Sequence, residues 1–209
     1  MYKVFVNNAS IHLSTQSFIS EEFISIPIRK ANFTEIILQL QKDPSLKFHL
    51  FHRKEEKLLS ILHKKIPVVV AGGGKVYNKE NQILFIKRNG FWDLAKGKAE
   101  KNESIEETAL REVEEETGVQ NLEITRFLMK TYHVYKSHGR FKLKLTYWFE
   151  MKTDFSGALY PQSEESITKV KWKSNAKVNK ALKNTYGTIT QLFGREYLVE
   201  AALRVANKS

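Results

Sequence analysis

The first 65 residues alternate and then recur at helical spacing. Tyr2–Val6 and Ala9–Leu13 flank the turn pair Asn7-Asn8 and predict two short strands of a hairpin. Phe23–Ile28 predicts a third strand, and Leu46–Phe51 alternates like a fourth. Between them, Asn32 can cap a helix over Phe33–Gln41 with Ile36, Ile37 and Leu40 on one side, ended by Asp43-Pro44-Ser45. Glu55–Lys65 repeats Leu58, Leu59 and Leu62 at helical spacing. Pro67 marks a boundary. Beyond it Val68–Ala71 opens a strand, Gly72-Gly73-Gly74 allows close backbone approach, and Gln82–Lys87 is a further apolar strand. A helix is expected over about 104–117, capped by Asn102 or Ser104 and closed by Gly118 in a left-handed cap, with Ile105, Ala109 and Val113 as its apolar stripe. Glu123–Tyr135 and Arg140–Lys152 alternate around Lys136-Ser137-His138-Gly139 and predict a long antiparallel hairpin. Thr168–Lys173 reads as a strand, and 175–184 and 186–206 as closing helices. The pattern divides the chain into 1–65, a small α+β N-terminal domain; 66–173, a central α/β domain; and 174–209, helices packed on it.

The chemistry sits on the helix at 104–117. Glu112, Glu115 and Glu116 stand at i, i+3 and i+4 and share one face. Crowded carboxylates repel each other, and a hard divalent cation relieves that repulsion. A bare Glu-x-x-Glu-Glu is an ordinary acidic surface helix. Here it lies in a longer frame: Gly97, five residues, Glu103, seven residues, then Arg111-Glu112-Val113-Glu114-Glu115-Glu116-Thr117-Gly118-Val119. Chance agreement with so many fixed positions is on the order of one in 10⁸ per starting point.

That frame is similar to the Nudix box at every position, so the chain resembles the Nudix hydrolases, which cleave diphosphate linkages with magnesium. The resemblance covers roughly 66–173. It implies an α/β/α sandwich with a mixed sheet, carrying the box as loop, helix and loop. It further implies that Glu112, Glu115, Glu116 and the Gly97 carbonyl hold Mg2+, with Mn2+ as a substitute. Arg111 would orient the glutamates, with Glu103 as a supporting acid. The general base is left open among Glu115 and Glu116 in the box and Glu164 and Glu165 in a later loop. Lys96 and Lys98 flank Gly97 and are candidates for substrate phosphates; Ala95 stands where many relatives have proline. Tyr135 lies 16 residues past Val119, a spacing similar to that of diadenosine polyphosphate hydrolases. Trp92 and Phe91 could stack a base, although packing in the core is the favoured role for both. The triple glycine is not a P-loop, because no Gly-Lys-Ser/Thr follows.

The implied activity is a magnesium-dependent pyrophosphohydrolase acting on a nucleoside di- or polyphosphate derivative, such as a diadenosine polyphosphate or a nucleoside triphosphate. RNA 5′ ends, diphosphoinositol polyphosphates, or a non-catalytic nucleotide sensor are the alternatives. The chain is basic, with a net charge of +11 over 209 residues. From Gln120 onward there are 16 Lys and Arg against 7 Asp and Glu, an excess of 16 − 7 = 9. Such a surface attracts polyanions, which adds RNA to a small phosphorylated molecule as an expected partner. Cysteine is absent, which excludes disulfides and thiolate metal sites and suits a cytoplasmic setting. No apolar run reaches the roughly 18 residues of a membrane span. Residues 1–65 carry no chemical motif and are expected to cover the substrate pocket or to form a homodimer interface. Their histidines, His49, His52 and His63, could form a metal site, but solvated or capping roles are expected ahead of it.

Overall fold

The computed structural model describes residues 1–194. The chain folds as two compact units, one made of Met1–Val69 with Thr131–Leu145, the other of Val70–Lys130 with Thr146 onward. Two long strands, β9 (Glu123–Ser137) and β10 (Arg140–Lys152), therefore contribute to both. No helix among the described residues is long and apolar enough to cross a membrane.

In the first unit, β1 (Tyr2–Val6) and β2 (Ala9–Ser14) form an antiparallel hairpin, with Asn7 in the left-handed region at φ 53°. Asparagine tolerates that conformation because its short side chain can bond locally. β3 (Ile24–Pro27) and β4 (Phe48–Phe51) are parallel, and β4 is also parallel to β2. Parallel neighbours need a crossover. The one between β3 and β4 contains α1 (Phe33–Lys42), whose cap is Asn32, its side chain accepting from the Glu35 amide at 3.3 Å. α1 buries Phe33, Ile36, Ile37 and Leu40; α2 (Glu55–Lys65) buries Leu58 and Leu62. The tip of the long hairpin joins this unit through β1, which runs parallel to β9 with Val4, Phe5 and Val6 opposite Tyr132, His133 and Val134. The histidine expectation is corrected at His49. It is fully buried, its ring nitrogens 2.8 Å from Ser14 Oγ and 3.0 Å from Ser25 Oγ, because its place on β4 turns it inward. His52 does bond backbone, accepting from the Lys54 amide at 3.0 Å.

The second unit is a three-layer sandwich. Its strand order is β11-β6-β5-β10-β9, with β6 at Ile83–Arg88, β5 at Val68–Tyr77 and β11 at Ile167–Lys173. Two short strands, β7 (Phe91–Asp93) and β8 (Lys96–Lys98), pair with β6 and β5. On one face, Leu84, Ile86, Val170 and Met151 pack with Ala109 and Val113 of α3 (Ile105–Thr117). On the other, Ile83, Phe85 and Trp148 pack with Val178, Ala181 and Leu182 of α4 (Asn175–Leu182), and with Ile189 and Phe193. The alternation of the strands decides which side chain meets which helix. The expected mixed α/β sandwich is thus the observed fold. The glycine run of β5 lies against α3: a Cβ at Gly72 would stand 2.8 Å from the Ala109 nitrogen and the Ile105 oxygen. The final helix starts at 187, and the part of it expected over 195–206 lies outside the described residues.

Candidate active site

Local signals fix the helix that carries the carboxylates. Ser104 caps α3 and makes a reciprocal pair with Glu107: the Glu107 amide donates to Ser104 Oγ at 3.2 Å, and the Ser104 amide donates to Glu107 Oε2 at 2.8 Å. Gly118 ends the helix at φ 74°, its amide donating to the Glu114 carbonyl at 2.8 Å. Between these caps α3 buries Ala109 and Val113 on the sheet. It also buries Glu116, which is 1% exposed.

Arg111 organises the rim. Its Nε and Nη2 grip Glu103 Oε1 and Oε2 at 2.7 and 3.0 Å. Nη1 donates to Glu112 Oε1 at 2.9 Å and to Glu115 Oε2 at 3.0 Å, and Nη2 also reaches the Lys98 carbonyl at 3.1 Å. All five guanidinium N–H groups are therefore used. The Arg111 fork, helped by the Glu100 amide and the Thr108 hydroxyl, holds the Glu103 carboxyl down to about 2. Arg111 itself is held still more firmly in its charged form by Glu103, and by Glu112 as well.

Glu112 lies directly against Gly97. A Cβ there would collide with the Glu112 carboxylate, so any side chain at 97 would push that acid out of its place. Burial raises the proton affinity of Glu112 against the pull of Arg111, and the charges of Glu115 and Glu165 add to the rise.

The floor of the site belongs to Glu116. Its Oε1 accepts from Arg88 Nη2, and its Oε2 accepts from the Lys96 amide at 3.1 Å. Burial pushes Glu116 up to about 7, although Lys96 and Arg88 pull the other way. Arg88 also comes within 3.5 Å of Glu165, which stands in a 3-10 turn over Ser163–Glu165 and is 57% exposed. Arg88 Nε is buried without a hydrogen-bond partner among the described residues. Asp93 completes the floor: it is 2% exposed and accepts from the Leu94 amide at 2.8 Å and from Lys96 Nζ at 2.5 Å.

Of the residues expected at the site, Arg111, Glu103, Glu112, Glu115, Glu116, Gly97, Lys96, Lys98 and Glu165 gather on the α3 side of the second unit. Lys96 is committed to Asp93, whereas the Lys98 side chain is exposed. Trp92 lies on the opposite side of the sheet, its ring 3.3 Å below Lys173 Nζ. Tyr135 belongs to the first unit, where Lys144 Nζ lies 5.5 Å from its ring. Glu164 bonds only to neighbouring Ser163, at 3.4 Å. Arg88 and Asp93 are the site residues the linear pattern missed. The strand reading stopped at Lys87, and nothing local marks which basic residue will meet an acid 28 positions away. A groove of about 740 Å³ lies elsewhere in the unit, lined by Tyr77, Asn121, Glu123, Glu150, Lys152 and Asp154, and no box residue lines it.

Among the described residues no three acidic or imidazole side chains converge on one point. The glutamates are held one by one, Glu112 and Glu115 by Arg111, Glu116 by Arg88 and the Lys96 amide. The donor chemistry nevertheless fits a hard divalent ion: three carboxylates on one helical face, Glu116 buried and Glu112 partly buried where ionisation is costly, beside a residue stripped of its side chain.

The sequence profile of the NUDIX domain matches residues 67–193. The chain belongs to that family. A protein of Bacillus subtilis (strain 168), provisionally named 8-oxo-dGTP diphosphatase, is 49% identical over 45 residues, 21% of this chain; the match spans 30% of that relative's length. A MutT protein structure from Methanosarcina mazei Go1 superposes with a TM-score of 0.52 at 19% identity, covering 66% of this chain and 97% of the other. A C. elegans Ap4A hydrolase binary complex gives a TM-score of 0.48 at 20% identity, covering 64% and 98%. The family membership agrees with the expected class, a hydrolase of phosphoric anhydrides.

Proposed function

We propose that the chain is a magnesium-dependent pyrophosphohydrolase that cleaves a phosphoanhydride in a nucleoside di- or triphosphate derivative. One observation carries this reading: an unbroken box whose three acids share one helical face, with Glu112 lying against Gly97 and Glu116 buried beside Lys96. Glu112, Glu115, Glu116 and the Gly97 carbonyl would hold the cation, and Mn2+ would serve in place of Mg2+. When bound, the metal neutralises phosphate oxygens and makes a coordinated water more acidic.

The protein residues do the rest. Arg111 fixes the rotamers of Glu112 and Glu115, so the acids are oriented before substrate arrives. Arg88 offers its unpartnered Nε beside Glu116, a donor suited to an anionic oxygen. The exposed ammonium of Lys98 is suited to the outer phosphates. Glu165, half solvated and close to Arg88, is the best-placed acid to accept a proton from water, with Glu115, 47% exposed, the alternative inside the box. A nucleoside triphosphate is favoured as substrate by the B. subtilis relative's name and its 49% identity over 45 aligned residues. The absence of cysteine fits a cytoplasmic enzyme.

Phosphate or pyrophosphate release from a panel of nucleotides, with and without magnesium, tests the reading. Turnover should appear only with metal. Glu115→Gln and Glu116→Gln should keep the fold and lose most activity, as measured by circular dichroism and initial rates. A folded, metal-supplied protein inert toward every diphosphate compound would end the enzyme reading; wild-type rates in both variants would end the metal assignment.

A further inference from the structure

The face of the sheet opposite the box carries an unusual charge pattern. From Ser166 to Gly194 the chain has six lysines and no acid. Three of them, Lys169, Lys171 and Lys173, occupy alternate positions of β11, which is the edge strand of its unit. Alternate residues point to one side and recur about every 6.7 Å. In register, Lys169 stands opposite Lys87 on β6, and Lys87 stands opposite Trp92 on β7. Lys169 and Lys171 are exposed, as is Lys177 of α4.

Lys173 shows that this crowding is a true convergence of charge. It is 8% exposed and makes no hydrogen bond or ion pair among the described residues. Its ammonium rests on the Trp92 ring at 3.3 Å, and Lys87 approaches the same ring at 5.7 Å. Burial, then the charges of Lys177, Lys87 and Lys171, push Lys173 down to about 8. The nearest acids along the chain do not relieve it: Glu165 turns to Arg88 on the box side, and Glu164 bonds to Ser163. Among the described residues no acid is recorded beside these lysines, and like charges gathered in this way destabilise a fold unless an anion compensates them.

We infer that the lysine row of β11, with Lys87 and Lys177, is a docking surface for the phosphate backbone of single-stranded nucleic acid. The spacing along the strand suits successive phosphates of an extended single strand, and a basic track beside an aromatic ring is how such strands are held without reading sequence. A membrane surface fits less well, because a lipid-docking face combines its basic residues with apolar side chains that enter the bilayer. The side chains exposed on this row are lysines.

The surface is independent of the hydrolase site, and its test needs no turnover. A fluorescent single-stranded oligonucleotide of about 12 residues, with a 5′-hydroxyl and hence no anhydride, is titrated with the full chain by anisotropy over a range of salt. Binding should weaken with salt with a log–log slope of about −2 to −3, as expected for three or four neutralised phosphates. The triple variant Lys169→Gln/Lys171→Gln/Lys177→Gln should bind at least tenfold more weakly and lose about two units of that slope, at about 0.7 for each lysine. Its circular dichroism and its turnover of small nucleotides should be unchanged. Unaltered affinity and slope in the triple variant would overturn the assignment. So would failure of the wild-type chain to bind at low salt, tighter binding of a duplex than of the single strand, or lysine-dependent retention on phosphatidylserine vesicles without oligonucleotide binding.

Discussion

Two arginine–glutamate pairs hold the box, and they work in opposite ways. At the rim, Arg111 and Glu103 meet as a fork, every guanidinium donor is satisfied, and the Glu103 carboxyl is held down to about 2. On the floor, Arg88 meets Glu116 where the acid is almost wholly buried, one guanidinium nitrogen is left over, and Glu116 is pushed up to about 7. The same two residue types yield a firmly ionised acid in one place and a proton-hungry one in the other, because hydrogen bonding dominates the first and burial the second. The rim pair is a clamp that sets geometry. The floor pair is a compensation that keeps a buried acid tolerable until something else neutralises it.

Breaking the floor should have the largest effect. Arg88→Met leaves buried Glu116 with the Lys96 amide and charge but no ion-pair partner in contact, and should destabilise metal-free protein by about 2–4 kcal/mol in urea denaturation. Adding Glu116→Gln to it should recover a large part of that loss, since the charge that needed compensation is gone. If the single variant unfolds like wild type, the floor pair is not the compensation described.

Breaking the rim should cost function more than stability. Arg111→Lys keeps the charge but loses the fork. Activity should fall about 10- to 100-fold, as when partners that orient metal ligands are removed, while the unfolding midpoint moves little. Equal losses in rate and stability would show that the rim is a structural brace instead.

Acid and base should separate the two pairs further. Glu103 has a folded value below its unfolded one, so its contribution is present above the unfolded value of about 4.3 and lost as pH falls toward about 2. Glu103→Gln should flatten the stability curve in that window. Glu116 has the reverse sign: its contribution is present below the unfolded value and lost as pH rises through about 7 in metal-free protein. Magnesium binding, followed by calorimetry, should therefore strengthen as pH climbs through that range. The smallest effect is expected at Lys98, whose side chain is exposed. Lys98→Ala should raise KM a few-fold and leave stability within about 0.5 kcal/mol.

The sequence revealed whatever depends on short-range spacing. The caps of α3 at Ser104 and Gly118, the hairpin turn at His138-Gly139 and the full extent of α2 could all be read because each is set by residues within a few positions. The side-by-side placing of Glu112, Glu115 and Glu116 followed from the helical repeat. What escaped depends on distant strands meeting. Arg88 and Asp93 join the floor only because β6 and β7 lie beside the box helix, and His49 is buried only because β4 sits between β2 and β3. Trp92 was legible as an aromatic candidate, but the pleat turns it to the face away from the acids. The depth of Glu116 was also hidden: its neighbours at 112 and 115 look identical in the sequence, and only its place beside Arg88 of β6 and Lys96 of β8 buries that one of the three.

The parallel pairing of β1 with residues 132–134 has a consequence for how the chain is made. β1 leaves the ribosome long before residues 132–134, so one of its two neighbours is synthesised only after the whole box has emerged. Through that interval the nascent hairpin carries an open strand edge, the kind of surface that recruits other chains. A holdase, or fast translation through the middle of the message, would matter most during this window.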